Sequence, residues 1–307
     1  MKGGNIINVS RRLSQVLSNS KELIFDDSSK IIIMSDCHRG VGGIGDDFTK
    51  NQYIFLVALR YYFNKNYTYI EIGDSDELWE NKYLRPIIAN NLNIFKLMAK
   101  FYKLNRLYML YGNHDIVKRN KYLRQNVLNG YYDERKGKYI YLFPNINICE
   151  GLILRYSETN DKILLVHGHQ GDFLNDTAWE VSRMLVRHIW RPLELIGVRN
   201  PTSASTSDNK KASIEHKLID WTRKNQQMLI AGHTHRPMFP RVGEHLYFND
   251  GSCTNYQYIT GIEIVNGCIF LIKWGIKPKE DRTLFIDKET LDGPVKLKDY
   301  FNSYSLK

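Results

Sequence analysis

Carboxylates, imidazoles and one amide collect in five short clusters of this sequence. They are Ser35-Asp36-Cys37-His38-Arg39-Gly40, Gly73-Asp74-Ser75-Asp76-Glu77-Leu78-Trp79, Gly112-Asn113-His114-Asp115, Val166-His167-Gly168-His169 and Ala231-Gly232-His233-Thr234-His235. Oxygen and imidazole donors in such a mixture suit Mn²⁺, Fe or Zn²⁺. Without thiolates among them, a structural zinc site is disfavoured. Strand alternation puts Asp36 and His38 on one side and Cys37 on the other, so an Asp oxygen and a His nitrogen can grip one ion. His167 and His169 share parity in the same way, and either can be a ligand. Asp74 can bridge two ions. Any one cluster alone reads as a capping Asp or an ordinary loop His. Five of them in this order argue for one site.

Each cluster ends a run that reads as a strand. Ile31, Ile32, Ile33 and Met34 are continuous apolar residues, as in a sheet covered on both faces. Tyr53, Leu56, Val57, Leu59, Arg60 and Phe63 follow with helical spacing. Residues 67–73 and 106–111 read as further strands, with a helix over 91–104 between them. Strand, loop, helix, strand is the rhythm of a parallel sheet with right-handed crossovers. In such sheets ligands bind beyond the carboxyl ends of the strands, where all five clusters fall.

Further along, short strands are expected within 139–156 and at 162–166, 227–231, 245–249, 259–265 and 268–274. A mostly helical block over 172–225 interrupts them, and 203–211 within it reads as a loop. Residues 1–28 carry one amphipathic stretch (Val9, Leu13, Val16, Leu17), expected as a short helix laid on the body. Residues 275–307 read as polar and peripheral.

The chain has 307 residues, 43 of them Lys or Arg and 33 Asp or Glu, for a net charge of +10. That length suits one large α/β domain with insertions, or two small domains. Apolar residues at 43% and charged residues at 25% are ordinary globular values and argue against disorder or a coiled coil. No run approaches the ~20 apolar residues of a membrane span. The first residues lack the apolar core of a signal peptide. Cys37, Cys149, Cys253 and Cys268 are scattered, so no disulfide framework is indicated and a reduced, cytoplasmic setting is expected. The positive balance suits anionic partners or simply a lysine-rich surface.

Taken together, Asp36-x-His38, Gly73-Asp74, Gly112-Asn113-His114-Asp115, His167-Gly168-His169 and Gly232-His233-Thr234-His235 resemble the calcineurin-like metallophosphoesterase superfamily. Asn249-Asp250-Gly251-Ser252 resembles a turn that often follows there. The resemblance implies a four-layer α/β/β/α sandwich with a two-metal centre between the sheets. It implies one ion on Asp36, His38, Asp74 and His235, and another on Asp74, Asn113, His167 and His233. His167 is favoured over His169 on the same ground. His114 is implied beside the phosphoryl group, with Glu77 steadying it. All seven implied ligands are present, which argues against a scaffold that has kept only the fold. Two divalent cations about 3.5–4 Å apart acidify a water between them, so hydrolysis of a phosphate ester or pyrophosphate by hydroxide is expected. Mn²⁺ is the first expectation for both ions, with Fe or Zn²⁺ as alternatives. Arg39, next to His38, is expected to contact a phosphate oxygen.

Gly73–Trp79 also resembles the Gly-Asp-x-x-Glu-x-Trp stretch of UDP-2,3-diacylglucosamine hydrolases, which carry a helical insertion between the fourth and fifth motifs. Here the corresponding segment is 173–225, expected as a helical cap. It holds Trp179, Val181, Met184, Leu185, Ile189, Trp190, Leu193, Leu195 and Ile196, with Arg183, Arg187 and Arg191 at i, i+4 spacing. An apolar and arginine-bearing cap suits a phosphorylated small molecule, nucleotide or lipid-linked. Those hydrolases tend to have Gly-Asn-Arg-Asp and His-Gly-Asp where this chain has Gly-Asn-His-Asp and His-Gly-His. A nuclease acting on nucleic acid, favoured by the charge, is the other alternative.

Overall fold

The computed structural model describes residues 2–43, 45–172, 176, 179–190 and 208–305. Its strands are β1 (Lys21–Phe25), β2 (Lys30–Met34), β3 (Thr68–Ile72), β4 (Leu107–Leu110), β5 (Gly130–Asp133), β6 (Lys138–Tyr141), β7 (Ile148–Cys149), β8 (Gly151–Tyr156), β9 (Lys162–Val166), β10 (Met228–Ala231), β11 (Tyr247–Asn249), β12 (Tyr258–Val265), β13 (Cys268–Pro278) and β14 (Leu284–Lys296). One sheet has the order β14-β13-β12-β2-β3-β4-β7, a second β1-β8-β9-β10-β11, and β5 and β6 form a separate hairpin. β2, β3, β4 and β7 are parallel, as are β9, β10 and β11. β12 returns antiparallel against β2.

The period-2 alternation of β2 explains why its apolar run is unbroken. Ile31 and Ile33 join Leu154, Leu165 and Ile230 of the second sheet in the core between the sheets. Ile32 and Met34 join Phe55, Phe95 and Phe101 of the Gln52–Asn64 and Leu92–Lys103 helices in a core on the outer face. Beyond the second sheet, Leu164, Val166 and Leu229 cluster with Val9, Leu13 and Val16 of the Lys2–Asn19 helix and with Ile214, Leu218 and Trp221 of the Asp208–Asn225 helix. The layers run helix, sheet, sheet, helix, the α/β/β/α sandwich expected from the sequence. No helix among the described residues is long and apolar enough to cross a membrane.

The structure differs from the sequence reading in several places. Residues 275–307 are not peripheral: they complete β13, form β14, and end in the Leu297–Ser305 helix. Leu297, Tyr300 and Phe301 of that helix are buried in the inter-sheet core. A strand, β1, follows the first helix and pairs parallel with β8. The stretch read as a cap divides into two parts. The Asp208–Asn225 helix, which begins inside the expected 203–211 loop, is a layer of the sandwich, because its buried face completes the outer core. Trp179–Leu185 and the turn Val186–Trp190 form the other described part. Phe173, Arg191, Leu193, Leu195 and Ile196 lie outside the described residues.

Candidate metal centre

The five polar clusters leave the carboxyl ends of β2, β3 and β4 in one sheet and of β9 and β10 in the other, so the two sheets face one site from their rims. Asp36, His38, Asp74, His233 and His235 adopt φ of 50, 47, 46, 69 and 55°, the left-handed region that non-glycine residues seldom occupy. Such backbone costs about 1–3 kcal/mol per residue and persists only where the surroundings hold it. Here Asp36 N–H donates to Gly73 O at 3.1 Å, His38 N–H to Asp74 O at 2.9 Å and Gly232 N–H to His167 O at 2.9 Å. Two glycines admit no side chain: a Cβ on Gly112 would lie 2.1 Å from Asp74 Oδ1, and one on Gly232 2.5 Å from Asp36 Oδ2.

The donors converge in two groups, Asp36 with His38 and His235, and Asp74 with His167 and His233, each group with one donor atom per residue within 4.8 Å of the others. Asp36 Oδ1 lies 3.0 Å from His235 Nε2 and 3.7 Å from His38 Nε2. Asp74 Oδ2 lies 3.0 Å from His167 Nε2 and 3.9 Å from His38 Nε2, so it stands between the groups. His233 Nδ1 and His167 Nε2 face each other at 3.2 Å.

Neighbouring groups choose which nitrogen points inward. Ile72 O accepts from His167 Nδ1 at 3.1 Å, and Glu77 Oε2 accepts from His38 Nδ1 at 2.7 Å, which leaves each Nε2 as a lone pair toward the centre. Asp36 is held on its other oxygen: His233 N–H donates to Oδ2 at 2.9 Å, and so does the Ser35 hydroxyl. Ser35 Oγ also lies 2.8 Å from Asp250 Oδ1.

The centre fits a cation. Asp36 Oδ1, His38 Nε2 and Asn113 Oδ1 are buried with no hydrogen-bond partner. Unmatched buried polar atoms are expensive, and a cluster of acceptors and lone pairs is matched by a positive ion. Burial disfavours the charged imidazole of His167, but the Asp74 and Asp36 carboxylates outweigh it and push its pKa up to about 9. A divalent ion would compete with that proton for the same negative field.

Glu77 and His114 stand beside this centre. The Glu77 carboxylate accepts from His114 Nδ1 at 2.8 and 2.9 Å as well as from His38. Burial would raise the Glu77 pKa, but the two imidazoles reverse this and hold it well below the usual carboxylate range. The His114 ring is stacked on Trp79, centroids 4.1 Å apart. Trp79 Nε1 donates to Asn113 O at 2.6 Å, so one indole supports two members of the third cluster. Sequence reading did not assign Trp79, Ser35 or Asp250 a place here. Their signal was only their position inside or just after the motifs.

Arg39 requires a correction. It is fully buried and touches no open surface. Its guanidinium donates to both Glu71 oxygens at 2.7 and 3.0 Å and to Asp76 Oδ1 at 2.7 Å. It therefore braces the loops after β2 and β3 from below and cannot touch phosphate. Lys118 extends this network to Asp76 and Asp115, both at 2.6 Å. His169 points away from the paired groups, toward Glu150 and Asp176. Arg187 donates to Leu78 O at 2.8 Å and Trp79 O at 2.9 Å. The Arg183 guanidinium lies 4.8 Å from the centre of the Trp179 ring.

A family model described as calcineurin-like phosphoesterase matches residues 29–237. No curated protein matches. Among solved structures, a crystal structure of Chaetomium thermophilum Vps29 is similar at 10% identity and a TM-score of 0.37, covering 86% of this chain and 97% of that one. A second, Chaetomium thermophilum Vps29 complexed with the RaPID-derived cyclic peptide RT-D3, has 11% identity and a TM-score of 0.32, covering 87% and 99%.

Proposed function

Because the chain belongs to the calcineurin-like phosphoesterase family, we propose that it is a metal-dependent hydrolase of a phosphate ester or pyrophosphate bond in a small phosphorylated molecule. The observation that carries this reading is the convergence of two separate donor groups on either side of Asp74. Asp36, His38, Asp74 and His235 would hold one divalent ion, and Asp74, Asn113, His167 and His233 the other; Mn²⁺ is the first choice, and the equal mix of oxygen and imidazole donors also suits Fe or Zn²⁺. Two such ions supply Lewis-acid neutralisation of phosphoryl oxygens and acidification of water.

The remaining chemistry falls to the chain. Glu77 accepts from His114 Nδ1 and turns Nε2 outward; in the imidazolium form, whose counter-charge the Glu77 carboxylate supplies, Nε2 is a donor. A donor there stabilises negative charge on a phosphoryl or leaving oxygen and delivers a proton as the bond breaks. General acids of this kind contribute about 10²–10⁴-fold. Trp79 beneath the ring and Glu77 at its edge limit its rotation, so its aim is set before substrate arrives. Residues 179–190 are tied to the Leu78 and Trp79 carbonyls and expose Val181, Met184, Leu185 and Ile189. That combination supports a cap which contacts the non-reacting part of the substrate.

A hydrolysis screen with Mn²⁺ present, covering aryl phosphate monoesters, diesters and nucleoside diphosphate sugars, tests the reading. Turnover that disappears with chelator is expected. Metal-loaded protein inert toward every class would overturn it and leave a binding scaffold.

A further inference from the structure

Next to the paired donor groups is a third cluster that the reaction above does not use. Glu150, His169 and Asp176 each bring a donor atom within 4.8 Å of the others. His169 is fully buried, and neither of its ring nitrogens has a hydrogen-bond partner. Its Nε2 lies 3.8 Å from Asp176 Oδ1, too long for a hydrogen bond and suited to two ligands sharing an ion between them. A buried imidazole with both nitrogens unmatched calls for a missing partner. The two carboxylates keep 20 and 14% of their side-chain surface exposed, so an ion can enter from solvent.

We propose that Glu150, His169 and Asp176 form a third divalent-cation site, separate from the two flanking Asp74. One imidazole and two carboxylates are donors that Zn²⁺ and Mn²⁺ accept. Arg12, on the first helix, already pairs with both acids: Nε donates to Asp176 Oδ2 at 3.3 Å, and the guanidinium also bonds Glu150 Oε1. It approaches Asp176 on the oxygen remote from His169, which leaves Oδ1 for the ion. Tyr111 and Gln170 donate to Glu150 at 3.1 Å each and fix its orientation. Two carboxylates against one guanidinium leave a net charge of −1, which a divalent ion reverses rather than merely cancels. Affinity at this site is therefore set by competition with Arg12. The ion would join the turn between β7 and β8 to the segment after β9, and so brace the loop that carries His167.

Equilibrium dialysis of the full chain against Zn²⁺ alone, followed by elemental analysis, tests the site. His169→Ala and Asp176→Asn should each bind one Zn²⁺ fewer per chain than wild type. Arg12→Gln, which removes the competing cation, should bind that ion several-fold more tightly. In an Asp74→Ala background the His169-dependent ion should remain, which separates this site from the paired groups. Equal Zn²⁺ content in wild type and both ligand variants, with Arg12→Gln unchanged in affinity, would overturn the proposal. Arg12 alone would then be the partner of the two acids. If His169→Ala fails to fold, Asp176→Asn and Arg12→Gln decide the question in the same way.

Discussion

The imidazole of His114 lies flat on the indole of Trp79, the planes 16° from parallel. A stacked aromatic floor and a carboxylate on Nδ1 make His114 a directed donor, although it belongs to neither of the two groups around Asp74. His114→Asn should therefore keep its bound metal and lose about 10²-fold or more in kcat. Trp79→Leu removes the floor together with the hydrogen bond to Asn113 O. A loss of at least about threefold to tenfold is expected, the ~0.5–1.5 kcal/mol of an aromatic pair alone. Elemental analysis beside steady-state kinetics checks both. Loss of an ion from His114→Asn would make His114 a ligand.

Asp74 faces both donor groups from one carboxylate, and its other oxygen, Oδ1, accepts from His114 N–H at 2.8 Å. Replacing it by Ala should disturb both ion sites together and abolish turnover. Metal content measured after dialysis should fall for both ions rather than one. Chelation of the wild-type protein should also lower its melting temperature. An ion at 100 times its Kd contributes about 2.7 kcal/mol to the folded state, and this is lost with the ion. A melting curve unmoved by chelator would count against resident metal.

Beneath the site, Arg39, Glu71, Asp76 and Lys118 are fully buried as an ion network. Removing one member strands a charge, which typically costs about 3–5 kcal/mol. Arg39→Met should lower the melting temperature on the order of 10 °C. It should affect kcat only through loosened loops. The network also carries a pH signature. Burial opposes ionisation of Glu71, but Arg39 overrides it and lowers the pKa below the usual range. A depressed carboxylate stabilises the fold above its unfolded pKa of about 4.3 and loses that contribution as pH falls toward the folded value. Stability measured by urea should therefore decline on acidification below about pH 4.5. Glu71→Gln should show a shallower decline over that range, by up to one proton.

Much of this arrangement is legible in sequence because catalytic loops at strand ends carry unusual residue types in fixed order. Asp36, His38, Asp74, His167, His233 and His235 could be named from the motifs, and the structure brings their side chains together. Arg39 could not be read correctly from the same motif. Adjacency to His38 says nothing about direction. Its acidic partners lie on and after β3, and only the pairing of β2 with β3 brings them near. The C-terminal strand and helix were hidden for a different reason. β14 is half-exposed at a sheet edge and rich in charge, and the last helix buries Leu297, Tyr300 and Phe301 within a polar run. The 208–225 helix was misread as cap because an amphipathic pattern reports a buried face but not which surface covers it.

Residues 179–190 meet the site through Arg187. Arg187 spends its fork on the Leu78 and Trp79 carbonyls, so in this structure it acts on the loop that holds Glu77 and Trp79. Arg187→Ala should loosen that tie. A substrate that touches the segment should then show a severalfold higher KM, while an aryl phosphate small enough to reach only the centre should change little. Arg187→Lys should not rescue, because one ammonium cannot match two carbonyls with the geometry of a planar fork. Arg183→Ala tests the neighbouring contact. It removes one of two guanidinium groups over the Trp179 ring, Arg119 being the other at 5.7 Å, an interaction of about 0.5–1 kcal/mol, and should raise KM for the larger substrate by about fivefold at most. The comparison of the two substrates decides. Equal losses on both, accompanied by a lower melting temperature, would mean that the segment only supports the fold, and substrate selection would have to be sought elsewhere on the rim.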